Sequence, residues 1–220
     1  MSNTPVLDGP RYGPAAGGDP QQLIMLLHGV GADGRDLLEM APHLAEFFPN
    51  AAFVAPNAPN RYEQGLSGYQ WISSSIRVEA EVVKAVKVST DILNQFIDTE
   101  LLNAKLAPEN LALLGFSQGT MMSLYAAPRR PHPIAGIVGY SGRLIGADLL
   151  ATEVVSRPPV FLAHGAVDAV VPVECMDVAE QILGENGFSV QSLRCPHLGH
   201  SINEDGLVQG TQFLRTVLGV

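Results

Sequence analysis

The stretch L-A-L-L-G-F-S-Q-G-T-M-M, from Leu111 to Met122, decides the fold. Its first four residues form an apolar run that reads as a buried strand, and a helical pattern follows Gly119. Between them stands Gly115-Phe116-Ser117-Gln118-Gly119, a G-x-S-x-G turn. A serine on a sharp strand-to-helix turn projects its hydroxyl above the sheet, and glycines on either side remove side chains that would collide there. The helix that follows aims its first N–H groups and positive dipole end at the serine, where negative charge develops when a carbonyl is attacked. A serine N-cap after an ordinary glycine turn is the competing reading. The strand before and the helix after favour a nucleophile.

Working outward, the same alternation recurs. Leu23–Leu27, Ala52–Ala55, Leu111–Leu114, Ile134–Gly139, Val160–Ala163 and Val190–Arg194 read as strands. Continuous apolar runs imply strands covered on both faces, as in a parallel sheet. Val82, Val86, Leu93, Ile97 and Leu101 fit one face of a long helix that stops before Pro108. A second helix follows Pro172, and a last one starts near Glu204. Leu37–Phe48 is periodic but interrupted by Pro42, which predicts two short pieces. The pattern predicts an α/β three-layer sandwich with a mostly parallel central sheet, one domain over residues 1–220. Residues 1–22 are expected to be an irregular N-terminal extension or an edge hairpin. Asn57 to about Arg77 shows no period and reads as a functional loop.

Composition narrows the function. The chain has 220 residues, 46% of them hydrophobic and 16% charged, which suits a sizeable core. The net charge of −9 argues against nucleic acid, whose phosphates are held by Lys and Arg clusters. The small basic cluster Arg129–Arg130 lies between prolines and reads as a solvated connection. The first 22 residues contain four prolines and no apolar run, so neither a secretory signal nor stable membrane anchoring is expected. Cys175 and Cys195 fit no metal or redox spacing and read as reduced thiols, which makes the cytoplasm the expected compartment.

Gly29-Val30-Gly31-Ala32-Asp33-Gly34 matches the G-x-G-x-x-G dinucleotide fingerprint after a strand. That reading needs an acidic residue at the end of the next strand to hold the ribose, and the chain there reads A-P-N-A-P. An oxyanion loop is the better reading. The Gln118 N–H supplies one donor, and Val30, between glycines, is the candidate for the second. His28 then reads as a structural hydrogen-bonding residue, and Asp33 and Asp36 as loop and N-cap residues.

Two later segments supply an acid and a base. In V-F-L-A-H-G-A-V-D, Asp168 follows a strand, at the sheet edge where α/β proteins assemble their sites. Asp148 and Glu153 lie upstream of that strand, and His164 at the strand end reads as structural. In R-C-P-H-L-G-H-S, His200 follows a glycine and precedes the last helix. His197-x-x-His200 could suggest a metal pair, but no third ligand stands nearby, so no metal is expected. The order Ser117, Asp168, His200 is that of one known triad class and differs from the two others.

L-H-G-V-G-A-D-G-R-D, G-F-S-Q-G, H-G-A-V-D-A-V-V-P and L-G-H-S together resemble the phospholipase/carboxylesterase family of the α/β-hydrolase fold, which includes bacterial carboxylesterases and acyl-protein thioesterases. The resemblance runs from about Leu23 to the C-terminus. It implies Ser117 as nucleophile, His200 as base, Asp168 as its orienter, Val30 and Gln118 as oxyanion donors, no cofactor, and a homodimer. G-Y-Q-W-I is similar to the family's tryptophan motif beside the acyl site, which implies a substrate-binding place for Trp71. The stretch leading into it, with Leu66 and Tyr69, is the expected pocket wall, and Met121 adds to it from the helix behind the serine. Ser73 stands where the family often has Asp, and His197 where it often has Gly. The expected reaction is cleavage of small-molecule carboxylic esters with short to medium acyl chains. The alternatives are an acyl-protein thioesterase or lysophospholipase, and a catalytically silent binding protein of the same fold.

Overall fold

The computed structural model describes residues 6–220. The first third of the chain contains β1 (Arg11–Tyr12), β2 (Gln22–Leu27), α1 (Gly34–Leu38), α2 (Ala41–Ala45), β3 (Ala51–Val54), β4 (Asn60–Arg61) and β5 (Tyr69–Gln70). Then come α3 (Glu79–Ala104), β6 (Leu111–Phe116), α4 (Gln118–Ala126), β7 (Gly136–Tyr140) and α5 (Ala147–Glu153). The chain closes with β8 (Val160–Gly165), α6 (Glu174–Glu185), β9 (Val190–Cys195) and α7 (Glu204–Leu218). Seven strands form one sheet in the order β1-β3-β2-β6-β7-β8-β9. All its pairings are parallel except β1 with β3.

Alternation along the central strands divides the core into two layers. Leu23, Met25 and Leu27 of β2 face one side, with Leu111, Leu113, Ile137 and Leu162, under α3, α4 and α6. Ile24 and Leu26 face the other, with Leu114, Val138 and Phe161, under α1, α2 and α7. Helices on both faces explain why these strands are apolar throughout. This is the α/β three-layer arrangement with a mostly parallel sheet that the sequence predicts.

Local differences have local causes. The strand expected at Ile134–Gly139 is Gly136–Tyr140, because Ile134 is already a core side chain before the ladder begins. Pro42 sits in the first turn of α2, where its missing N–H costs nothing, and the periodic stretch Leu37–Phe48 divides as expected. The N-terminal extension supplies the antiparallel edge strand β1, Arg11 opposite Val54 and Tyr12 opposite Phe53, while its first five residues lie outside the described ones. The aperiodic stretch Asn57–Arg77 holds a small hairpin, Asn60 opposite Gln70 and Arg61 opposite Tyr69. Each of its strands has only two residues, too few for a period to register. Among the described residues no helix is long and apolar enough to cross a membrane.

Candidate active site

Ser117 ends β6 and starts α4 with φ 54° and ψ −115°, a backbone conformation that few residues other than glycine adopt. Its N–H is fixed on Tyr140 O at 2.9 Å, and its own carbonyl accepts from Met121 N–H. The flanking glycines are required by close approach. A Cβ on Gly119 would stand 1.8 Å from Leu27 O, and one on Gly115 would stand 2.4 Å from Thr120 N. The Thr120 hydroxyl completes the turn at 2.8 Å from both Gly115 O and Tyr140 O.

Asp168 follows β8. Its Oδ1 accepts from Val170 N–H at 2.8 Å and Val171 N–H at 2.9 Å, and its Oδ2 lies 2.7 Å from His200 Nδ1. Burial alone would raise its pKa. The bond to His200, the Val171 and Val170 N–H groups and the imidazole's charge more than offset that, and the pKa is lowered below 3.8. A carboxylate only accepts, so Nδ1 of His200 carries the proton and Nε2 is the free base. The imidazole packs on Phe116, ring centroids 5.0 Å apart, and so stands beside the residue that precedes Ser117. His164 Nε2 bonds Val171 O at 2.8 Å and stands 3.3 Å from Asp168 Oδ2, a structural place under the loop.

The loop after β2 carries Val30. Among the described residues neither its N–H nor that of Gln118 donates to a backbone or side-chain acceptor, and both residues line the cleft at Ser117. Gly31, at φ 81°, turns the chain, and its N–H donates to Tyr69 O at 2.8 Å while Tyr69 N–H donates to Ala32 O at 2.8 Å. The hairpin thus straps the loop down. Gly34 serves a close approach: its Cβ would meet Ala55 O at 1.9 Å. Asp33 and Asp36 form a reciprocal capping box on α1. His28 accepts from Ala58 N–H at Nε2, so its Nδ1–H donates to Gly29 O at 2.7 Å. Burial lowers its pKa below 6.5.

The four expected substrate contacts take different positions. Leu66 is fully exposed at the hairpin tip and lines no part of the cleft. Trp71 is fully buried, its indole N–H donating to His28 O at 3.0 Å, so it braces from behind the loop that carries Val30. Tyr69 lies half-buried under the Arg61 guanidinium, 4.4 Å from the ring centroid. Met121 does line the cleft, a space of roughly 450 Å³. The other apolar walls are Ile72, Ile76, Val82, Ile145 and Val171, with Arg77, Arg143 and Cys175 at polar positions.

One functional contact has no signal in the sequence. The Gln118 side chain accepts from Trp71 N–H at 3.0 Å and Ile72 N–H at 3.4 Å, and donates to Ile72 O at 2.9 Å. Its backbone N–H has no acceptor among the described residues, while its amide ties down the cleft's wall. The two departures from the family pattern are also placed. Ser73 Oγ donates to Glu63 Oε1 at 2.6 Å, and His197 has φ 62°, a conformation in which glycine is the unstrained residue.

A sequence model of the phospholipase/carboxylesterase family matches residues 15–218. The chain belongs to the phospholipase/carboxylesterase family. It is 29% identical over 217 residues to acyl-protein thioesterase 1 of Kluyveromyces lactis, covering 90% of this chain and 92% of that one. It is 28% identical over 198 residues to esterase YpfH of Escherichia coli, covering 89% and 82%. The crystal structure of esterase PE8 superposes with a TM-score of 0.92 at 36% identity, covering 97% of this chain and 100% of that one. The fold is therefore that of the α/β-hydrolase esterases of this family.

Proposed function

We propose that this phospholipase/carboxylesterase-family hydrolase is a serine carboxylesterase acting on short to medium acyl chains. The observation that carries the reading is the 2.7 Å bond from His200 Nδ1 to a buried Asp168 carboxylate, beside a serine held at φ 54°. His200 Nε2 takes the Ser117 proton as Oγ attacks the ester carbonyl. The Val30 and Gln118 N–H groups receive the oxyanion. His200 then protonates the departing alcohol, and water repeats the cycle on the acyl-enzyme.

The preference for shorter chains rests on the cleft. A long acyl chain gains roughly 0.8 kcal/mol per buried methylene only while apolar wall continues to cover it. Here the apolar lining at Ser117 is interrupted by Arg77 and Arg143. Rates on p-nitrophenyl esters are expected to peak between roughly C2 and C8 and then level off. Acyl thioesters of the same lengths complete the test. A kcat/KM that rises steadily out to palmitoyl thioester would favour the thioesterase reading, which the acyl-protein thioesterase relatives support. A cytoplasmic location and a homodimer remain part of the proposal.

A further inference from the structure

The charge of the cleft runs against that of the chain. Acidic residues outnumber basic ones 22 to 13. Yet among the described residues the cleft at Ser117 is lined by two arginines, Arg77 and Arg143, and by no carboxylate. The two arginines differ. Arg143 is neutralised by Glu79, with Nη1 at 3.1 Å and Nη2 at 3.0 Å from its carboxylate oxygens. Arg77 bonds only backbone carbonyls, Nη1 to Ser74 O and to Ile76 O, and makes no ion pair among the described residues. Those carbonyls orient the guanidinium without cancelling its charge. Two acids near the cleft are engaged elsewhere. Asp168 is held by His200 and two N–H groups, and Glu63 Oε1 by Ser73 and Ser75.

We infer that the cleft selects anionic esters, the unpaired Arg77 guanidinium receiving a carboxylate carried by the substrate beyond its scissile bond. A half-ester of a dicarboxylic acid has this chemistry. Its apolar methylenes lie along Ile72, Ile76 and Met121, and its acid group meets Arg77, the lining cation that makes no ion pair among the described residues. A planar guanidinium with Nε and Nη2 uncommitted presents the fork that pairs with a carboxylate. This deepens the esterase reading and rests on it.

The test compares matched pairs of substrates. On the acyl side, the p-nitrophenyl half-ester of glutaric acid is set against p-nitrophenyl pentanoate. On the alcohol side, the butanoyl ester of m-hydroxybenzoate is set against that of m-hydroxybenzamide. The ratio of kcat/KM, anionic over neutral, is read for the wild type, Arg77→Gln, Arg77→Lys and the remote charge control Lys105→Gln. In at least one pair the ratio should fall about threefold to tenfold in Arg77→Gln, recover in part in Arg77→Lys, and stay at the wild-type value in Lys105→Gln. Added salt should lower the wild-type ratio in that pair. A ratio that Arg77→Gln leaves unchanged in both pairs overturns the inference while leaving the esterase reading standing. Failure of the wild type to turn over any of the four esters overturns both.

Discussion

Gln118 and Ile72 are joined twice, Gln118 Oε1 accepting from Ile72 N–H at 3.4 Å and Nε2 donating to Ile72 O at 2.9 Å. Oε1 also takes Trp71 N–H. One buried side chain therefore couples the start of α4, where oxyanion charge would be met, to the wall of the cleft. Gln118→Ala keeps the backbone N–H at position 118 but leaves Ile72 O and two N–H groups without partners. Stability should fall by about 1–3 kcal/mol, and kcat/KM should fall with it as the wall loosens. Thermal melts and ester kinetics on the purified variant check both. A variant with unchanged melting and unchanged kcat/KM would show that the clamp has no such role.

The glycines of the elbow should separate sharply from the glycine before His200. Gly119→Ala forces a methyl against Leu27 O at 1.8 Å, where neither backbone can yield, whereas a Cβ on Gly199 meets nothing within 4 Å. Gly119→Ala should destabilise the fold by more than about 3 kcal/mol or abolish soluble expression. Gly199→Ala should fall within about 0.5 kcal/mol of the wild type. Chemical denaturation of the two variants side by side makes the comparison.

His28 predicts an acid sensitivity distinct from that of the carboxylates. Burial lowers its folded-state pKa below the ordinary 6.5, so the unfolded chain takes up a proton first as pH falls. The stability contributed by the neutral ring is complete above pH 6.5 and is lost as pH drops toward the folded-state value. Asp168, whose pKa is lowered below 3.8, loses its contribution only in a more acidic window. The Tm of the wild type should therefore decline between pH 7.5 and 5.5, as about 6.5 is crossed. His28→Gln should start lower and decline less over the same interval. Parallel Tm curves for the two proteins would contradict this.

Asp168→Asn tests the orientation of the base. An amide Oδ1 can still accept from Val170 and Val171, but an amide NH₂ facing His200 makes Nδ1 an acceptor and moves the ring proton to Nε2. The base is then blocked at the atom that must receive the Ser117 proton. By analogy with the serine-protease triad, kcat should drop on the order of 10⁴-fold with the fold retained. A loss below about tenfold would place the orienting group elsewhere.

What the sequence shows and what it hides follow the range of the contacts. The elbow is legible because its glycines answer to local crowding. Asp168 and His200 are legible because each sits where a strand delivers the chain to one edge of the sheet. The capping pair Asp33–Asp36 is legible because capping acts over three residues. The Gln118–Ile72 clamp spans 46 residues and leaves no periodic trace. Leu66, Tyr69 and Trp71 illustrate the same limit. Their apolar character marks a loop with a task, but only the structure shows Tyr69 strapped to Gly31 and Ala32, in the loop that carries Val30. Ile72, Ile76 and Val82, which line the cleft at Ser117, come from the end of that loop and the start of α3, where the sequence shows ordinary core residues.

The central claim is that Ser117 is the nucleophile. It is tested most directly by treating the wild type and Ser117→Ala with a fluorophosphonate and mapping the adduct by peptide mass spectrometry. The account predicts one phosphonyl group per wild-type chain, carried by the peptide that contains Ser117, with no labelling and no ester turnover in Ser117→Ala. An adduct on another residue, or near-normal turnover by Ser117→Ala, would contradict it.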